Sequence, residues 1–212
     1  MPPTSDARSR YHHGNLREAL VEAAYGLARA GGPDAIVLRE ASRQVGVSHN
    51  AAYRHFPDRG SLLEAVAERC RGELADRMRE LVAKVNPGGG ALAAARLRLR
   101  ATGRAYVDFA ITEPGLFRTA FSAAGPHERP DAGDEPLSDE AGPFTLLVSA
   151  LDDLDAAGGI ADGAREHAEH AAWSAVHGFS SLCLDGPLQA LDAAERDAAL
   201  DGVLNNIERG LA

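Results

Sequence analysis

From Leu62 to Val85 the apolar residues Leu62, Leu63, Val66, Cys70, Leu74, Met78, Leu81, Val82 and Val85 are spaced by threes and fours. That spacing lays them on one stripe of an α-helix. The same period recurs along the chain, and no run of alternating β-branched residues bounded by turn signals breaks it. The fold class this predicts is all-α. With 212 residues, 45% hydrophobic and 25% charged, the chain can bury a core without disulfide staples. No stretch nears the ~20 apolar residues needed to cross a bilayer, which excludes a spanning protein. The N-terminal segment lacks the apolar run of a signal peptide, which points to the cytoplasm. Cys70 and Cys183 each fall in an apolar helical pattern and read as buried thiols.

Punctuation divides the pattern into about nine helices. Asn15 caps the first, whose face is Leu16, Ala19, Leu20, Ala23, Ala24 and Leu27, and Gly31-Gly32-Pro33 ends it. The second runs from about Leu38 to Val45 and stops at Gly46; Ser48 caps a third, about His49 to Phe56, closed by Pro57. Asp58 caps a long fourth reaching about Val85, and Asn86-Pro87-Gly88-Gly89-Gly90 breaks the chain. A fifth spans about Ala91 to Thr112 and a short sixth Leu116 to Phe121. Residues 125–142 hold six acids and one Arg among Pro and Gly, a composition that predicts a mobile loop. The last three helices are expected at about Phe144 to Ala157, Gly163 to Leu184 and Asp192 to Leu211.

The net charge of −9 hides an asymmetry. Residues 1–60 carry eight Arg against six acids, a net of +2, and four of the eight histidines; the remainder has 14 basic and 25 acidic side chains, −11. A cationic head on an acidic body suits contact with a polyanion. Within that head, the turn Val45-Gly46-Val47-Ser48 is so tight that the second and third helices must cross sharply, with Gly46 free to take positive φ. This is a helix-turn-helix, which offers its second helix to a DNA major groove. His49 and Asn50 in the first turn can hydrogen-bond base edges, and Ala51 and Ala52 let the backbone approach and can touch a thymine methyl. Tyr53 and His55 can donate to phosphates, as can Ser48 with the helix N-terminus, while Val47 and Phe56 read as packing.

The order Gly46-Val47-Ser48, Tyr53, His55-Phe56-Pro57-Asp58-Arg59 and Leu62-Leu63 resembles the TetR family of one-component transcriptional regulators, over Tyr11 to about Leu63. The resemblance implies Arg39 as a base or phosphate contact, Ser48, His49, Asn50, Tyr53 and His55 in the recognition unit, and Arg59 clamping a phosphate. Two positions depart from the family pattern. Ala52 replaces the common Leu before Tyr53, and Arg59-Gly60 replaces Lys-Glu, keeping the charge but weakening the helix start. Trp173 through Gly178 is similar to the Trp-x-x-x-His-Gly signature of a WHG-type C-terminal domain, and Tyr11-His12-His13-Gly14-Asn15-Leu16 to the arm found in that branch. The implied division is a DNA-binding domain at 11–68 and a ligand-binding and dimerisation domain at 69–212.

The resemblance further implies a ligand-responsive repressor that binds a palindromic operator as a homodimer through helices eight and nine. The dimer rests also on the small residues Ala168, Ala171, Ala172 and Ala175 and the apolar Leu200, Val203, Leu204, Ile207 and Leu211. Tyr106, Phe109, Phe117, Phe121, Trp173 and His177 are the candidates for a small-molecule site, with Phe144 and Leu147 in the same apolar set. His167, His170 and His177 share a helical face, so a metal-binding sensor or enzyme is the alternative function. The chain has no Gly-x-Ser-x-Gly, His-Glu-x-x-His or phosphate-cradling loop, and Gly88-Gly89-Gly90 reads as a linker. No catalytic residue, metal, cofactor or membrane partner is expected.

Overall fold

A computed structural model describes residues 16–85, 88–122 and 142–212. Among them every regular element is helical: α1 (Leu16–Gly31), α2 (Leu38–Val45), α3 (His49–Tyr53), α4 (Arg59–Ala83), α5 (Ala91–Thr112), α6 (Pro114–Ser122), α7 (Pro143–Ala156), α8 (Ala168–Asp185) and α9 (Ala193–Leu211). Short 3-10 turns lie at Pro33–Ala35 and Pro187–Ala190. No described helix is long and apolar enough to cross a membrane. The arm at Tyr11 to Asn15 and, apart from Gly142, the acidic stretch 125–142 lie outside the described residues. Two compact units divide the chain after Cys70, and the first also takes the segment beginning at Gly115.

The first unit is built on α1, whose Leu20, Val21, Ala24, Tyr25 and Ala28 are buried at the three-and-four spacing of one face. α2 and α3 pack on it, bringing in Leu38, Ala41, Ala52 and Phe56. Asp58 caps α4 as its position predicts, its Oδ1 accepting the Ser61 N–H at 2.7 Å. The first turn of α6 lies directly on the end of α1. A Cβ on Gly115 would stand 2.3 Å from the carbonyl oxygen of Ala28 and 2.7 Å from that of Arg29. The N–H-rich start of one helix thus meets the carbonyl-rich end of another, a favourable alignment of helix dipoles.

In the second unit α5 is the central element and packs against α7, α8 and α9. Its core holds Ala95, Leu99, Leu147, Leu151, Leu154 and Ala172. Arg100 and Arg104 tie α5 to α9, reaching Asp201 at 2.9 and 2.6 Å, with Glu208 and Asp197 as further partners. Asp192 caps α9 in a reciprocal box with Glu195.

Helices α3 and α8 differ most from the sequence expectation. α3 ends at Tyr53 rather than Phe56, with Arg54 and His55 in a turn, because Phe56 folds back into the core at 1% exposure. α8 starts at Ala168 rather than near Gly163. Gly163 and His167 both take positive φ, 82° and 61°, which no α-helix accommodates. Arg165, between them, is held by Asp152 at 2.6 Å and Glu169 at 2.7 Å.

Candidate functional site

α2 closes in a Schellman arrangement. Gly46 sits at φ 76°, ψ 30°, its N–H bonding Arg43 O at 3.2 Å, while Val47 N–H reaches Ser42 O at 3.0 Å. Only Gly takes that conformation without strain, so Gly46 fixes the angle at which the chain enters α3. Ser48 then returns to extended backbone and its Oγ accepts the Ala51 N–H at 3.3 Å. Val47, read as packing from its sequence, is only half-buried.

This geometry sorts the side chains of α3. His49, Asn50 and Tyr53 are exposed, and the rings of His49 and Tyr53 meet edge to face at 4.4 Å. Tyr53 is 43% exposed. Ser48, Arg39 and His55 are exposed as well. Ala52 corrects the sequence reading: it is fully buried, so it packs inward and cannot reach a thymine methyl. α3 thus turns His49, Asn50 and Tyr53 outward and Ala52 inward, and an α-helix is narrow enough to enter a DNA major groove.

The cations nearby differ in their freedom. Arg43 is committed to Glu40 through two hydrogen bonds of 2.9 and 2.6 Å, and this contact holds the Glu40 carboxyl down to about 2. Arg59 donates from Nε to Ile36 O at 3.0 Å and from Nη2 to Pro33 O at 2.6 Å. It therefore ties the start of α4 to the α1–α2 turn, a role that its charge alone does not reveal. Arg54, missed in the sequence, is exposed directly after α3. Arg17 lies over the Phe56 ring at 5.1 Å.

The second unit holds a partly open apolar cavity of about 30 Å³, walled by residues of α4, α5, α7, α8 and α9. Of the six candidates for a small-molecule site, Tyr106 and Trp173 line it. Phe144 and Leu147 line it too, whereas Phe109 is buried away from its wall. Phe117 and Phe121 belong to the first unit, where their rings pair at 5.1 Å. His177 stands behind Tyr106. Trp173 Nε1–H donates to Tyr106 Oη at 3.1 Å, and Tyr106 Oη lies 2.7 Å from His177 Nδ1.

Burial pushes the His177 pKa below the ordinary histidine value and that of Tyr106 up. A value below the ordinary one leaves the His177 imidazole mainly neutral at pH 7. The unfolded chain binds this proton more tightly than the folded one, so stability falls as pH drops below ~6.5 and onward through the lowered folded-state value. We expect His177→Gln, which keeps a hydrogen-bond acceptor but cannot titrate, to lose less melting temperature than the parent between pH 7.5 and 5.5. Equal losses in calorimetry would remove His177 from the acid response.

His167, which precedes α8 at positive φ, and His170 and His177 within it do not converge. His167 and His170 come together with Glu169, their ligand atoms within 4.8 Å of one another, but His177 is bound to Tyr106. The Glu169 carboxylate is already paired with Arg165 at 2.7 Å. Along the outer side of α8 and α9 runs a groove with Ala171, Ala175, Gly178, Leu182, Val203 and Gly210 on its walls. Leu182 is 44% exposed there.

Comparison with known proteins agrees with these features. The family described as bacterial regulatory proteins, tetR family, matches residues 20–66, and that described as tetracyclin repressor-like, C-terminal domain, matches residues 99–207. Comparison with curated proteins gives no match. A protein of unknown function from Rhodococcus sp. RHA1 is similar in structure, with a TM-score of 0.73, 30% identity, and coverage of 95% of this chain and 98% of that one. TetR from Acinetobacter baumannii AYE shares the fold at a TM-score of 0.58 and 19% identity, over 90% of this chain and 93% of its own.

Proposed function

This chain belongs to the TetR family of bacterial regulatory proteins, and we propose that it is a ligand-responsive repressor that binds a palindromic operator as a homodimer. The observation that carries the reading is α3: capped by Ser48, it buries Ala52 and leaves His49, Asn50 and Tyr53 exposed together. In this reading residues 11–68 bind DNA and residues 69–212 bind effector and form the dimer. His49, Asn50 and Arg39 choose the sequence, and Ser48, Tyr53 and His55 hold phosphates. Arg59 contributes charge while anchoring the turn behind α3.

The half-sites lie one helical turn apart or slightly more, roughly 34–36 Å. The groove along α8 and α9, with its small residues and exposed Leu182, supports a dimer built through these helices. Trp173, His177 and Gly178 support a C-terminal domain of WHG type. Effector binding in the second unit favours one of two conformers, and it changes DNA affinity only through unequal affinity for them. A coupling of ~1–3 kcal/mol weakens operator binding about 5–150-fold.

The test is selection of fragments from a random duplex pool by the purified protein, followed by sequencing. The expected product is an inverted repeat with half-sites about ten base pairs apart, centre to centre. Recovery of unrelated sequences, or of single half-sites by a monomer in ultracentrifugation, would sink the reading.

A further inference from the structure

We propose that the cavity of the second unit takes a compact, uncharged, apolar molecule, a monocyclic aromatic or short branched alkyl group, and rejects charged ones. The proposal rests on the effector reading above and gives its ligand a chemical class. The cavity wall is dominated by Leu99, Phe144, Leu147, Val176, Leu204 and Ile207. Each polar side chain in it already holds a protein partner. Thr102 Oγ1 donates to Arg98 O at 3.0 Å. The Arg100 guanidinium is divided among Asn205, Asp201 and Glu208, at 2.7, 2.9 and 3.1 Å. Tyr106 Oη lies between Trp173 and His177.

A carboxylate or ammonium entering this space would leave water without a counter-charge, unless it broke the Arg100–Glu208 pair and stranded one partner. A neutral apolar molecule needs no such exchange and gains contact with the wall.

Size narrows the class. About 30 Å³ holds one or two waters, so a larger occupant must displace a side chain. Phe144 is placed to yield. It is half-buried, stands second in α7, and lies against the Trp173 ring at 4.9 Å, tilted by 42°. Moving an apolar ring costs packing but breaks no hydrogen bond, which favours small or flat occupants over bulky ones.

Trp173 is the chain's one tryptophan and lines the cavity, so its emission reads occupancy directly. The full-length protein is titrated with ethylbenzene, benzoate and benzylammonium, with calorimetry alongside. We expect a saturable change with ethylbenzene and at least tenfold weaker binding of both ions. Ala172→Leu, which fills the space, should weaken ethylbenzene at least tenfold, and Phe144→Ala, which enlarges it, should admit naphthalene. Comparable affinity for either ion overturns the proposal, as does an Ala172→Leu variant that folds and binds ethylbenzene like the parent. Silence toward ethylbenzene in both the parent and Phe144→Ala overturns it too. Binding to the selected DNA is followed in parallel. Ethylbenzene that binds without changing operator affinity would remove the effector reading and leave this assignment standing.

Discussion

Gly115→Ala should lower the melting temperature by roughly 5–10 °C, a loss of about 2–3 kcal/mol. The added methyl would stand 2.3 Å from the carbonyl oxygen of Ala28 and 2.7 Å from that of Arg29. Both atoms are backbone, so no rotamer change relieves the overlap, and α6 must lift off the end of α1. Lifting it also separates the two opposed helix termini, whose alignment is favourable. A matched control removes the general effect of placing alanine in a helix. Gly72 is exposed within α4, and a methyl added there would meet nothing inside 4 Å. Gly72→Ala should therefore stabilise by about 0.5–1 kcal/mol, since alanine is the better helix former. Thermal denaturation followed by circular dichroism measures both. A Gly115→Ala protein as stable as the parent would show that the contact between α1 and α6 is absent in solution.

What could be read from the sequence follows from how local its causes are. The bounds of α2 and α5, Leu38–Val45 and Ala91–Thr112, were legible because Gly46, Gly90 and Pro114 stand beside them. The start of α8 was not. Ala164, Arg165 and Glu166 are good helix formers, yet the bridges from Arg165 to Asp152 and Glu169 hold a turn there. α3 is too short for periodicity to orient, so the sequence could not tell that Ala52 faces inward and Asn50 outward. The charge of Arg59 was legible but its destination was not, because backbone carbonyls at Pro33 and Ile36 leave no mark on residue type. The same holds for the cavity. Tyr106 and His177 are 71 residues apart, and composition alone grouped them with Phe117 and Phe121, which lie in the other unit.

Three substitutions around α3 should separate recognition from folding. Asn50→Ala is expected to fold like the parent and to lose preference at one base pair per half-site, at about 1–3 kcal/mol each. Tyr53→Ala should weaken binding to all sequences by a similar factor, because a phosphate contact carries no base information. Both side chains are exposed, so neither change touches the core. Phe56→Ala should do the reverse. Its ring is 1% exposed and its loss should cost about 3–5 kcal/mol, so DNA binding disappears together with the cooperative melt of the first unit. In a symmetric dimer each substitution acts at two half-sites, which doubles every effect in free energy on the full operator. Arg39→Ala removes a base-reading cation, so it should relax preference at a further base pair and also flatten the salt dependence by about one ion per half-site. Anisotropy titrations on the selected operator and on single-base variants, at several salt concentrations, distinguish these patterns. If Asn50→Ala and Tyr53→Ala both bind like the parent while Phe56→Ala alone fails, α3 is a structural element and the DNA surface must lie elsewhere in the chain.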